Sequence, residues 1–140
     1  MEADHDYADH DSTFGGSRDS LASSSTSLMS SITRYEFENG RRYHAYQAGK
    51  YLYPNDEQEL NRMDIEHQNQ RVQLDGRLHL CPLQDPQEIL DIGTGTGIWA
   101  IDMADQYPGC QVIGTDLSPV QPQWVPPNCR FDVDDFELEW

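Results

Sequence analysis

Basic residues are scarce in this chain. Nine Lys and Arg stand against 25 Asp and Glu, a formal charge of −16 over 140 residues. A nucleic-acid binder needs a basic face for the phosphate backbone, so no direct nucleic-acid partner is expected. Cysteine is scarce too. Cys81, Cys110 and Cys129 are odd in number and lack C-x-x-C spacing, which argues against a disulfide scaffold or a zinc site and fits a reducing compartment. The five histidines show no metal-ligand pattern, so no metal is expected. No apolar run approaches the ~20 residues that span a bilayer, and the N-terminus has no signal-peptide core. An intracellular protein, cytoplasmic or nuclear and away from membranes, is the expectation.

The few basic residues are unevenly placed. Seven of the nine lie between Arg34 and Arg77, and after Cys81 only Arg130 remains. This shift, with local composition, divides the chain into three. Residues 1–33 are acidic and rich in Ser, with Ser-Ser-Ser-Thr-Ser at 23–27, and such a segment reads as a disordered tail. Residues 34–85 interleave Tyr35, Phe37, Tyr43, Tyr46, Tyr51 and Tyr53 with Arg34, Arg41, Arg42 and Lys50. Tyrosine offers a flat apolar face with a polar tip, so this stretch reads as a cap laid over a pocket. Pro54-Asn-Asp-Glu57 then opens a helix, with Asn55 as its expected N-cap. Leu60, Met63, His67, Leu74 and Leu78 form one stripe, in which His67 reads as a packed core residue. Gly76 and Cys81-Pro82 mark the expected end.

Residues 86–140 carry the chemistry. Glu88–Ile92 reads as a strand that runs into Gly93-Thr-Gly-Thr-Gly97, followed at once by a helix over Ile98–Tyr107. Strand, glycine turn and helix open a nucleotide pocket at a strand's carboxyl end. The spacing selects the cofactor. A dinucleotide turn usually reads G-x-G-x-x-G and seats a pyrophosphate. Here Asp91 stands two residues before the first glycine, where it would repel a pyrophosphate and attract an ammonium. S-adenosyl-L-methionine has no phosphate and carries an α-ammonium and a sulfonium.

Two further strand ends repeat the theme. Gln111–Asp116 reads as a strand ending in an acid 19 residues after Gly97, near the ~20-residue offset of a ribose-binding carboxylate. Arg130–Asp134 reads as a third strand ending at the pair Asp134 and Asp135. An ionised carboxylate only accepts hydrogen bonds, which matches the ammonium, the ribose diol and the adenine amino group. The Pro-rich stretch Leu117–Cys129 leaves little room for a helix between the last two strands.

At these residues the chain resembles the class I S-adenosylmethionine-dependent methyltransferases, and within them the fungal LaeA-like branch related to regulators of secondary metabolism. The resemblance runs over about residues 35–140. It rests on Phe37-Glu-Asn-Gly-Arg-Arg-Tyr-His44, Gly49-Lys-Tyr51, Pro54-Asn-Asp-Glu57, Leu90-Asp-Ile-Gly-Thr-Gly-Thr-Gly-Ile-Trp-Ala100, Gly114-Thr-Asp-Leu-Ser118 and Pro126-Pro-Asn128. It implies a partial Rossmann-like α/β sheet, strands one to three of seven in the order 3-2-1-4-5-7-6, preceded by a helical cap. It also implies roles. Asp91, Gly93, Thr94, Gly95 and Gly97 would hold the methionine end, Asp116 the ribose, and Leu117 the adenine face. Asp135, or else Asp134, would meet the adenine amino group beside Phe136. Tyr43 and Tyr51 would belong to the cap.

The chain stops just after the third strand, so the family's acceptor-binding half is not in it, and the first strand is expected to have an open, apolar edge that a protein partner would cover. The expected activity is methyl transfer to a small molecule or a protein, with no general base assigned. Two alternatives stay open: a non-catalytic cofactor-binding or interaction fragment, and a nucleotide-dependent oxidoreductase domain.

Overall fold

The computed structural model describes residues 34–46 and 49–138. The tail at 1–33 lies outside the described residues. Five strands and two helices follow in chain order: β1 (Tyr35–Glu38), β2 (Arg41–His44), α1 (Glu57–Gln73), β3 (Glu88–Ile92), α2 (Ile98–Gln106), β4 (Gln111–Asp116) and β5 (Cys129–Val133).

The cap region holds an antiparallel hairpin that the composition did not suggest. β1 pairs with β2 from Tyr35↔His44 to Glu38↔Arg41. Asn39 and Gly40 turn the chain with φ of 50° and 77°, as a two-residue primed turn requires. The hairpin packs on the start of α1. Arg41 donates to Asp56 through Nε at 2.5 Å and Nη2 at 2.9 Å, while Arg42 Nε donates to Asn55 Oδ1 at 3.0 Å.

That contact moves the helix cap. Asp56, not Asn55, is the N-cap, and its Oδ1 accepts from Glu59 N at 3.0 Å. The Asn55 side chain is instead committed to Arg42. The helix ends at Gln73, where Gly76 N turns back to Arg71 O at 2.7 Å. Leu78 therefore reaches the core from the following loop, not from the helix. His67 is buried as expected, and its Nε2 lies 2.9 Å from Asp102 Oδ2. Arg71 donates to that same oxygen, tying α1 to α2.

The parallel sheet has the order β3-β4-β5, as the first three strands of the implied sheet would. β5 starts and ends one residue earlier than the sequence suggested. The 117–128 connection has no helix. α2 lays Ala100, Met103 and Ala104 on one face of the sheet, against Cys110, Val112 and Cys129. The other face is open among the described residues. β3 pairs only with β4 there, and Leu90 and Ile92 remain 45% and 50% exposed. Parallel sheets are normally covered on both faces, so this core is half of one.

Candidate functional site

The carboxyl ends of β3, β4 and β5 meet beside the glycine turn. Gly93 N and Thr94 N both donate to Thr115 O at 2.9 Å, which hooks the turn over the end of β4. Thr94 Oγ1 donates to Asp91 Oδ2 at 2.6 Å. The turn must be glycine at its last position. Gly97 has φ of 82°, and a Cβ there would run into the Phe131 ring of β5. The turn thus sits directly on the sheet and delivers the chain into α2.

Asp116 is the hub. Its Oδ2 accepts from Gly95 N at 2.8 Å and its Oδ1 from Ser118 N at 2.9 Å. Burial pushes its carboxyl above the ordinary range, against the pull of those two amides. Asp91 is also pushed up, first by burial and then by the charge of Asp116, with the Thr94 hydroxyl opposing. The charge of Asp116 thus makes Asp91 harder to ionise. A ligand bringing positive charge or hydrogen-bond donors would relieve that tension.

Two crevices flank the turn and share Gly93. One, about 90 Å³, is lined by Asp116, Leu117, Ser118, Asp134 and Phe136, with His44 and Tyr51 on the hairpin side. The other, about 320 Å³, runs between α1 and the turn and is lined by Thr94, Thr96, Arg62 and Glu66 among others. Together they reach the ~300–1,000 Å³ of ordinary small-molecule sites. One end offers an apolar slot with carboxylates, and the other offers mixed charge. That suits a ligand with a nucleoside at one end and a zwitterion at the other.

The site residues named from the sequence are distributed as follows. Gly93, Asp116, Leu117, Asp134, Phe136 and Tyr51 line the first crevice. Thr94, with Gly93, lines the second. Gly95 and Gly97 shape the turn beneath them. Asp91, Tyr43 and Asp135 line neither. Asp135 is buried, and its oxygens accept from Tyr46 OH at 3.2 Å and Glu137 N at 3.0 Å. Residues not expected from the sequence also contribute, among them Arg62, Glu66 and Thr96 in the second crevice. His44 and Ser118 line the first crevice, and Gln121 Nε2 donates to Gly95 O at 2.7 Å and Ser118 O at 2.9 Å, bracing the turn. Ser118 is local to the site, since it stands two residues after Asp116 and its amide donates to that carboxylate, whereas His44 and Gln121 act on Leu117 and Gly95, which only the fold brings near.

Among the described residues no group of three or more His, Cys, Asp or Glu is arranged to hold a metal ion, and no helix is long and apolar enough to cross a membrane. The family model described as a methyltransferase domain matches residues 65–140. Methyltransferase pytC of Aspergillus terreus is 54% identical over 121 residues, 84% of this chain and 37% of its own length. Secondary metabolism regulator LAE1 of Cochliobolus heterostrophus is 52% identical over 108 residues, 74% of this chain and 35% of its own. Protein-methionine methyltransferase laeA of Emericella nidulans is 44% identical over 109 residues, 76% of this chain and 29% of its own. The chain spans about a third of the length of these curated relatives. No solved structure matches it.

Proposed function

Because the chain belongs to the methyltransferase-domain family, we propose that it forms the cofactor-binding part of an S-adenosyl-L-methionine-dependent methyltransferase. One observation carries the reading. The Asp116 carboxylate is half-buried, held by two backbone amides and placed in a crevice beside a glycine turn. A carboxylate so fixed suits a ribose diol, whose two hydroxyls both donate. Leu117 and Phe136 flank the slot where an adenine ring would lie. Asp134 is the better acceptor for the adenine amino group, since it lines that slot while Asp135 serves the hairpin. Asp91, through Thr94, and the 93–97 turn would take the methionine end.

The bound cofactor supplies an electrophilic methyl group on a sulfonium. The chain's own residues bind and orient it, and in two-substrate reactions positioning alone lowers the barrier substantially. The acceptor is a small molecule or a protein. The names of the relatives include a protein-methionine methyltransferase, which makes a protein acceptor the first to try. The open edge of β3 is the place for a further strand or a protein partner to extend the sheet.

The test is a calorimetric titration of the full-length protein with S-adenosylhomocysteine. Micromolar binding that is lost in Asp116→Ala supports the reading. No binding, or binding indifferent to that change, sinks it.

A further inference from the structure

The hairpin contributes one polar ring to the nucleoside crevice. His44 closes β2 and is only 6% exposed. Its Nε2 lies 2.7 Å from Leu117 O, a residue 73 positions away in the chain. On the other side, Tyr46 N lies 3.3 Å from His44 Nδ1 and donates to it. A carbonyl only accepts and an amide N–H only donates. The neutral ring with its proton on Nε2 satisfies both neighbours at once, and the other tautomer satisfies neither.

The partner of that ring matters. Leu117 follows Asp116 directly and opens the Pro-rich loop toward β5. Near the start of the loop a second side chain braces it, Gln121, which holds Ser118 O and Gly95 O. The carbonyl between these anchors has His44 as its donor. We propose that His44 is a positioning residue for the adenosine end of the cofactor. It locks the Asp116–Leu117 turn before the ligand arrives, and it forms part of the crevice wall. Preorganisation of this kind raises affinity by removing ordering costs from the binding step. The inference rests on the reading of the crevice as an adenosine site.

Methylthioadenosine and S-adenosylhomocysteine share the adenosine and differ in the amino-acid end, so they make a matched pair of probes. Binding of each to the full-length protein is measured for the wild type, His44→Gln and His44→Phe. Glutamine can bring an amide N–H to the place of Nε2, and phenylalanine keeps the ring but has no donor. A single hydrogen bond of ordinary strength corresponds to about fivefold to tenfold in affinity. The expected result is a loss of that size for both ligands in His44→Phe, with His44→Gln within about threefold of the wild type. A wild-type measurement needs no variant: ring ¹⁵N–¹H correlations should show the Nε2–H tautomer of His44 and should shift when methylthioadenosine is added. The inference is overturned if His44→Phe binds as the wild type does, if His44→Gln is as weak as His44→Phe, or if the ring signals ignore the ligand. In each of those cases wild-type binding leaves the adenosine reading standing. A wild type that binds neither probe overturns both.

Discussion

The amide of Gly95 donates to Asp116 Oδ2 at 2.8 Å, so the glycine turn and the terminal acid of β4 form one unit. The turn orients the carboxylate, and the carboxylate in turn holds the turn closed. Asp116→Asn keeps the shape and one accepting oxygen but removes the charge. Hydrogen bonds to a charged group are worth about 1.5–3 kcal/mol. We therefore expect S-adenosylhomocysteine affinity to fall about tenfold to a hundredfold. Calorimetry decides, and a change within about twofold would show that Asp116 does not hold the ligand.

Stability and affinity should move in opposite directions with pH. Asp91 and Asp116 both have carboxyls raised by burial in the folded state. Unfolded aspartates titrate near ~3.9. Above that value and up to the raised ones, the folded chain binds more protons than the unfolded chain. The contribution of these two groups to stability thus falls as pH rises through the folded values and returns on acidification. Binding of a cationic or donor-rich ligand to the ionised forms should instead weaken as pH falls through the same window. Urea midpoints and calorimetric affinities measured between about pH 4 and about pH 7 test this. In the double Asp91→Asn, Asp116→Asn variant the stability slope from this pair should vanish. A slope that persists unchanged would assign it to other groups.

The strand ends and the glycine turn were legible because their signals are local. An apolar run, an acid and alternate glycines fall within ten residues, and each has one common structural meaning. The hairpin has an equally local signal in Asn39-Gly40, set within a stretch whose Tyr and Arg content is equally compatible with a cap without strands. The choice between Asn55 and Asp56 as helix cap is different in kind. Both side chains are competent, and Arg41 and Arg42 decide between them from across the hairpin. Asp134 lines the first crevice while Asp135 accepts from Tyr46 OH, a division set by the path of the chain after β5 ends at Val133 and marked by no local signal. The approach of His44 to Leu117 has no local signal at all.

Asn128 is a structural counterpart to the site. Its Nδ2 donates to Ala104 O at 3.0 Å, Tyr107 O at 3.2 Å and Cys110 O at 2.8 Å, so one buried amide satisfies carbonyls at the end of α2 and the start of β4. Asn128→Ala should destabilise the fold by about 2–3 kcal/mol, because buried carbonyls lose their donor. Asn128→Asp should be worse, since it sets a carboxylate against them. Urea denaturation measures both, and equal midpoints for Asn128→Ala and the wild type would refute the role.

The three thiols should separate cleanly. Cys81 is exposed, while Cys110 and Cys129 are buried in the core. Burial also pushes both buried thiols up, away from the reactive thiolate. Thiolate is the nucleophile, so a disulfide reagent at neutral pH should label Cys81 quickly. The other two should react at the rate of opening of the fold. Mass spectrometry of the labelled chain identifies the order, and rapid labelling of Cys110 in the native protein would mean that the α2–sheet core is open in solution.

Asp56 couples the hairpin to the rest of the molecule. One carboxylate caps α1 through Glu59 N and accepts from both Nε and Nη2 of Arg41. The Arg41 guanidinium holds the Asp56 carboxyl well below the usual carboxylate range. A depressed value means that the contribution is complete above the unfolded pKa near ~3.9 and disappears as pH falls below it. That is the opposite sign to Asp91 and Asp116. In Asp56→Ala the hairpin should loosen while the parallel sheet stays closed. Hydrogen exchange near neutral pH would then be about tenfold or more faster at Asn55, whose amide donates to Arg42 O, with β4 amides unchanged. Because His44 closes the same hairpin, methylthioadenosine affinity should fall with it. Unaltered exchange at Asn55 would show that the hairpin holds its place without this carboxylate, and that the crevice wall it forms depends on other contacts.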